Sequence, residues 1–201
     1  MKKNALIGII IGWCLLKIIE YYFLLYFFVI LLWLGMSILL LIVSVVQLIK
    51  LIKERKTITK LRIVKVTVFA ALFYFTFNAP IIHNQIEKID WKIFYNKRME
   101  IVEQVKQKEL RSNTEYNDQL IKLPFDFPVI SNGGNEIIVS QNEENDSITV
   151  TFYIFRNFFD ATSFYFIYTN DDTKKKKLDE LVNREPKFNW KIDDNWYRTC
   201  D

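Results

Sequence analysis

Residues 5–49 read ALIGIIIGWCLLKIIEYYFLLYFFVILLWLGMSILLLIVSVVQLI, and this stretch decides the architecture. Its only charges are Lys17 and Glu20, and it contains no proline. As one helix at about 1.5 Å per residue it would run roughly 67 Å, about twice the hydrocarbon thickness of a bilayer. The stretch must therefore double back. The place for the turn is Lys17-Ile-Ile-Glu20-Tyr21-Tyr22, where two charges and two tyrosines suit a membrane interface. Two spans follow, near residues 5–19 and 22–49, the longer one tilting or continuing past the lipid.

Working outward, residues 66–82 form a third uncharged candidate, closing with Asn78-Ala79-Pro80. Between the second and third spans, residues 50–65 hold Lys50, Lys53, Arg55, Lys56, Lys60, Arg62 and Lys65 against Glu54 alone. A short basic loop stays cytoplasmic, and Lys2 and Lys3 put the amino terminus on the same side. Three spans satisfy both signals and place everything after Ile82 outside the cell membrane. Two spans would set the basic loop and the N-terminus on opposite faces.

The rest of the chain is a different material. Residues 1–82 carry ten Lys/Arg against two Asp/Glu, a net of +8, and residues 83–201 carry seventeen against twenty-one, a net of −4. These sum to the chain's +4. The split excludes an ordinary cytosolic globule, a disordered chain, a disulfide scaffold and a basic nucleic-acid binder. Met1-Lys2-Lys3 before an apolar run resembles a signal peptide, but no small-x-small cleavage site follows. Cys14 reads as a membrane-buried thiol, because Trp13 stands where lipid attachment wants a small residue. Cys200 is the only cysteine of the outer part, so no bridge can form within it.

Residues 83–112 read as a stalk helix, with Ile86, Ile89, Ile93, Ile101, Val102, Val105 and Leu110 recurring at three- and four-residue spacings. From 113 the grammar changes to strands: 120–123, 136–141, 147–155, 163–169, 188–192 and 196–199, with a short helix over 174–184. Ser131-Asn-Gly-Gly-Asn135 is a turn signal. Short connections between successive strands imply an antiparallel meander. The expected fold is α+β: a three-helix transmembrane anchor over 1–82, a stalk, and an extracytoplasmic sheet domain over 113–201.

The strand region also carries a resemblance. The series Leu120-Ile-Lys-Leu-Pro124, Ser131-Asn-Gly-Gly-Asn-Glu136-Ile-Ile-Val139, Phe155-Arg156-x-x-Phe159-Asp160, Tyr168-x-x-Asp171-Asp172 and Asp194-Asn195-Trp196-Tyr197 resembles a group of uncharacterised bacterial membrane-associated proteins. It covers roughly residues 119–199, implies a bacterial envelope protein, and carries no activity with it. After Asp172 this chain has a lysine run where the group suggests a glycine-rich loop.

Chemistry-bearing residues are few. Lys17 and Glu20, spaced i,i+3, read either as an interfacial turn with a snorkelling lysine or as a polar contact to a helix or ion. His83 is the only histidine and reads as a solvated residue at the membrane exit. Asn170, Asp171, Asp172, Asp193, Asp194 and Asn195 offer oxygen ligands for calcium, but at no known loop spacing, so strand-end turns are expected. Lys174–Lys177 reads as a solvated helix start or a patch for anionic lipid or wall polymer. Arg156 with Asp160 reads as a structural ion pair. The reading assigns no catalytic, cofactor-binding or metal residue and expects no enzyme. Phe152, Phe155, Phe158, Phe159, Phe164, Phe166 and Tyr168 exceed what one sheet face buries, so the surplus points to membrane lipid or a protein partner, and not to nucleic acid. A non-catalytic interaction or sensing domain is the expected function. The alternatives are a membrane-resident immunity or regulatory protein and a carboxylate-using envelope-polymer hydrolase.

Overall fold

The computed structural model describes residues 3–23, 26–114, 117–142, 146–156 and 162–200. The chain divides into two compact units, residues 1–88 and 89–201.

The first unit holds α1 (Lys3–Phe23), α2 (Tyr26–Lys53), α3 (Lys60–Phe77) and the start of α4 (Ala79–Lys106). Among the described residues two helices are long and apolar enough to cross a membrane, Lys3–Phe23 and Phe28–Lys53, and a third span arises if α3 and α4 count as one bent span. Side chains such as Leu39 (61% exposed) and Ile42 (56%) stand on the outside of the bundle. In water such a surface is a liability, and in lipid it is the solvent-facing side.

Where the expected turn was Lys17–Tyr22, α1 instead runs through to Phe23. Helical geometry places Lys17 and Glu20 one turn apart, so the two charges satisfy each other and need not break the helix. The third helix begins at Lys60, where Thr59 accepts from the Arg62 amide at 3.3 Å. It ends at Phe77, and after Asn78 α4 starts at an angle of 80°. Pro80 explains the break: it has no N–H to give to the carbonyl of Thr76. The Trp33 indole takes that carbonyl at 2.9 Å instead.

A constant offset of 63 residues aligns α1 with the α3–α4 segment. Leu6 shares a buried cluster with Phe69, Trp13 Nε1 donates to Thr76 Oγ1 at 2.7 Å, and Glu20 meets His83. These positions recur every seven residues on both helices, so α1 and α3 run parallel. Trp33 on Thr76, Leu40 in the cluster with Phe69 and Leu72, and Gln47 on Arg62 set α2 antiparallel to α3. The bundle is therefore up-down-up. At the end holding the basic loop, Arg62 grips Glu54 through two bonds of 2.7 and 2.8 Å.

The second unit contains the rest of α4, a six-stranded sheet and α5 (Asp172–Arg184). The strands are β1 (Leu120–Lys122), β2 (Glu136–Asn142), β3 (Ser147–Phe155), β4 (Phe164–Thr169), β5 (Trp190–Asp193) and β6 (Trp196–Cys200). Every pairing is antiparallel. Neighbours in sequence pair from β1 to β4; α5 then carries the chain so that β6, not β5, lies beside β4.

Strand alternation sends side chains to both faces. Phe166 and Trp196 pack on Trp91 of α4 at ring separations of 4.8 and 5.0 Å, and Phe152 packs on Trp196 at 5.9 Å. On the opposite face Ile167 and Tyr197 pack with Leu178 of α5. The β1 edge is closed by side chains: Asn113 bonds both backbone groups of Lys122 at 2.8 Å, and Thr114 Oγ1 donates to Leu120 at 3.2 Å.

Candidate functional site

The densest polar arrangement of the first unit begins with Lys17. Its ammonium lies 2.6 Å from Glu20 Oε2, and both side chains are 1% exposed. The other carboxylate oxygen, Oε1, lies 3.3 Å from His83 Nε2. The Tyr21 ring stands 6.4 Å from the imidazole at a steep angle. His83, expected to be solvated, is thus a partner of the membrane carboxylate, and Lys17 does not snorkel at a turn. Of the two readings open in sequence, the helix-to-helix polar contact is the one the geometry supports. A buried pair gains little over an apolar pair of the same volume, but removing one member leaves an uncompensated charge. The cluster therefore ties the end of α1 to the first turn of α4.

In the second unit the comparable feature is Arg98, 2% exposed, with its guanidinium 2.6 Å from Asp90 Oδ2. The same group donates to the carbonyl of Ile130 from Nε (3.1 Å) and Nη2 (2.9 Å), and it lies over the Phe166 ring at 4.8 Å. Sequence reading missed this pair, since eight residues separate its members and no short-range pairing rule flags that spacing. Ile130 belongs to a loop that does more than turn. Asn135 (1% exposed) accepts from the amides of Ile130 and Ser131 and donates to the carbonyls of Phe125 and Pro128. Ser131 donates to the Glu136 carbonyl and accepts from the Tyr153 amide. Gly133 and Gly134 take φ of 86° and 115°, which lets the loop close under Arg156. This is a buried polar plug that fixes the sheet end to α4, and it accounts structurally for the glycine–asparagine motif.

The remaining candidates disperse. Arg156 pairs with Glu136 at 2.5 Å, while Asp160, its expected partner, lies outside the described residues, as do Phe158 and Phe159. Asp171 caps α5, accepting from the amides of Thr173 (2.8 Å) and Lys174 (3.2 Å). The Lys174 N–H, then that of Thr173, holds its carboxyl below the usual range. Asn170 accepts from Ile148 at 2.6 Å and Asp193 from Asp194 at 2.8 Å, so these oxygens serve turns. Among the described residues no three His, Cys, Asp or Glu side chains converge on a metal-sized site. Lys174, Lys176 and Lys177 are exposed on α5. Tyr197 donates to Asp179 at 3.0 Å; burial, then that carboxylate, pushes its phenol up to about 12.

The aromatic row divides. Phe152 (0% exposed), Phe166 (2%) and Tyr168 (4%) are consumed by the unit's own core. At the β5 end the row stays partly open: Arg198 lies between Phe164 (4.4 Å) and Trp190 (4.6 Å), with Trp190 38% and Phe188 45% exposed. A groove of about 460 Å³ lies at the other end, between the C-terminus of α4 and β1–β2, with Val105, Ile121 and Val139 below and Lys108, Arg111 and Asp118 at its rim. Comparison with protein-family models, with curated proteins and with solved structures returned no match.

Proposed function

We propose that this chain is a multi-pass cell-membrane protein, N-terminus cytoplasmic, that presents residues 113–201 outside the cytoplasm as a non-catalytic interaction or sensing domain. The observation that carries it is the 63-residue ladder. Parallel α1 and α3 end at the same side of the bundle, and the basic residues 50–65 collect at the other side. A positive loop retained in the cytoplasm then directs the chain beyond α3 outward. A protein partner fits best at the β5 end, where Phe164, Phe188 and Trp190 leave aromatic surface around a buried arginine, since exposed aromatics beside arginine are the composition of contact hot spots. The polar clusters Lys17–Glu20–His83 and Asp90–Arg98 are engaged in holding elements together, which favours binding over catalysis.

The test is a pair of reporter fusions in the full chain. Alkaline phosphatase joined after Asp201 should be active and the same enzyme inserted after Lys56 silent; the reverse pattern would reject the sidedness. In-cell crosslinking through a photoreactive residue at Trp190 should then trap one defined protein, and Trp190→Ala with Phe188→Ala should abolish the adduct. Labelling that yields only lipid adducts or none rejects the partner surface.

A further inference from the structure

The outward side of α4 is unlike the rest of the second unit's surface. Ile89 is 57% and Ile93 64% exposed, and among the described residues of that unit only Phe127 exposes a larger fraction of a large apolar side chain. Their exposure is not for want of a core, because Asp90, Arg98, Ile101, Val102 and Val105 on the other side of the helix are all buried. At i and i+4 the two isoleucines stack on one strip. Lys88 and Lys92, both exposed, repeat the same spacing on the adjoining strip. Past Ile93 the exposed positions are Asn96, Glu100 and Glu103, so the apolar character stops there.

We infer that this strip of α4 docks on the bilayer surface, Ile89 and Ile93 entering the interfacial layer and Lys88 and Lys92 meeting anionic phospholipid headgroups. The lipid is singled out by continuity. Tyr74 (54% exposed) and Phe77 (59%) at the end of α3 face outward from the bundle, and only Asn78 separates Phe77 from the start of α4. Ile89 lies roughly 16 Å along the helix from Asn78 at about 1.5 Å per residue. Because α4 leaves α3 at 80°, the first turns of α4 run nearly parallel to the bilayer surface when α3 stands near the membrane normal. A helix along the surface with isoleucine on one margin and lysine on the next is the arrangement of interfacial helices. The inference rests on the reading of α3 as a span, but not on which side of the membrane α4 occupies.

The experiment uses the full chain with Cys14→Ser and Cys200→Ser, and single cysteines placed by Ile89→Cys, Ile93→Cys or Glu100→Cys. Each variant carries an environment-sensitive fluorophore and sits in vesicles of phosphatidylcholine with phosphatidylglycerol, with and without lipid bearing a shallow nitroxide quencher. Quenching at 89 and 93 should exceed that at 100 several-fold, and Lys88→Glu with Lys92→Glu should reduce it at 93. Equal quenching at all three sites overturns the proposal. Shielding of 89 and 93 from aqueous iodide without lipid quenching also overturns it, in favour of a protein contact. Inverted insertion, which would defeat the proposed sidedness, leaves the quenching pattern intact.

Discussion

The two units bury charge in the same form and for opposite reasons. Each has an ion pair of 2.6 Å with both members almost wholly covered, Lys17–Glu20 in one and Arg98–Asp90 in the other. For a bundle placed in a bilayer, lipid solvates leucine and isoleucine, so apolar burial does little to bring helices together, and cohesion falls to packing and polar contacts such as Trp13 and Trp33 on Thr76. In the sheet unit, water drives Phe152, Phe166 and Trp196 together, and the arginine is enclosed by a core that would form without it. A polar contact thus decides which helices meet in the first unit and only fixes registry in the second.

The largest expected effect tests the second half of that contrast. Arg98→Met should cost about 3–5 kcal/mol, because the buried Asp90 carboxylate loses its guanidinium partner. Adding Asp90→Asn should restore much of it. Denaturant unfolding of the detergent-solubilised protein, followed by the tryptophan signal, measures both, and additive losses would mean that the pair is not coupled. Glu20→Ala performs the same operation in the bundle, where Lys17 can reach toward headgroups. A smaller loss, about 1–3 kcal/mol in a steric-trap unfolding measurement in bicelles, is expected. A loss matching that of Arg98→Met would erase the distinction between the units. Thr76→Val removes the acceptor of Trp13 and should cost about 0.6 kcal/mol, at most about 1.7.

Two titrations sharpen the picture within the sheet unit. The Tyr197 phenol is raised to about 12 in the fold, against an ordinary value near 10. Its contribution is whole below about pH 10 and is lost as pH rises toward the folded value. Ultraviolet difference absorbance should therefore show a late tyrosine ionisation step that Tyr197→Phe removes. Asp171 runs the other way. Its lowered carboxyl value stabilises the fold above the ordinary carboxylate range and ceases to do so as pH falls through the folded value. Protection factors of the amides in the first turn of α5 should fall in acid, and in Asp171→Ala they should already be low at neutral pH.

How much was legible follows from the range over which each signal acts. Hydropathy over residues 5–49 and alternation over 147–155 are local, and the helices and strands stand where those patterns place them within a few residues. Charge counting separated the two materials for the same reason. The Lys17–Tyr22 turn misled because two charges in an apolar run look like an exit, whereas i,i+3 spacing lets them neutralise each other inside a helix. His83 could not be assigned from sequence, since its partner lies 63 residues upstream on another helix. The Arg98–Asp90 pair and the Asn135 plug were hidden likewise: nothing local tells an arginine on a polar helix face from one beneath a loop. Ser131-Asn-Gly-Gly-Asn135 did announce positive φ, but the side-chain bonds that bury it depend on strands folded from both directions.

The offset between α1 and its mates also sets an order of events during synthesis. Thr76 follows Trp13 by 63 residues, and His83 follows Glu20 by the same interval. At about 5–20 residues per second, elongation separates the first helix from these mates by roughly 3–13 s. Throughout that delay the nascent segment holds an ammonium and a carboxylate in the membrane with nothing else yet made to meet them. Three residues apart, they close on each other at once, so α1 can wait for its neighbours with its two interior charges already cancelled.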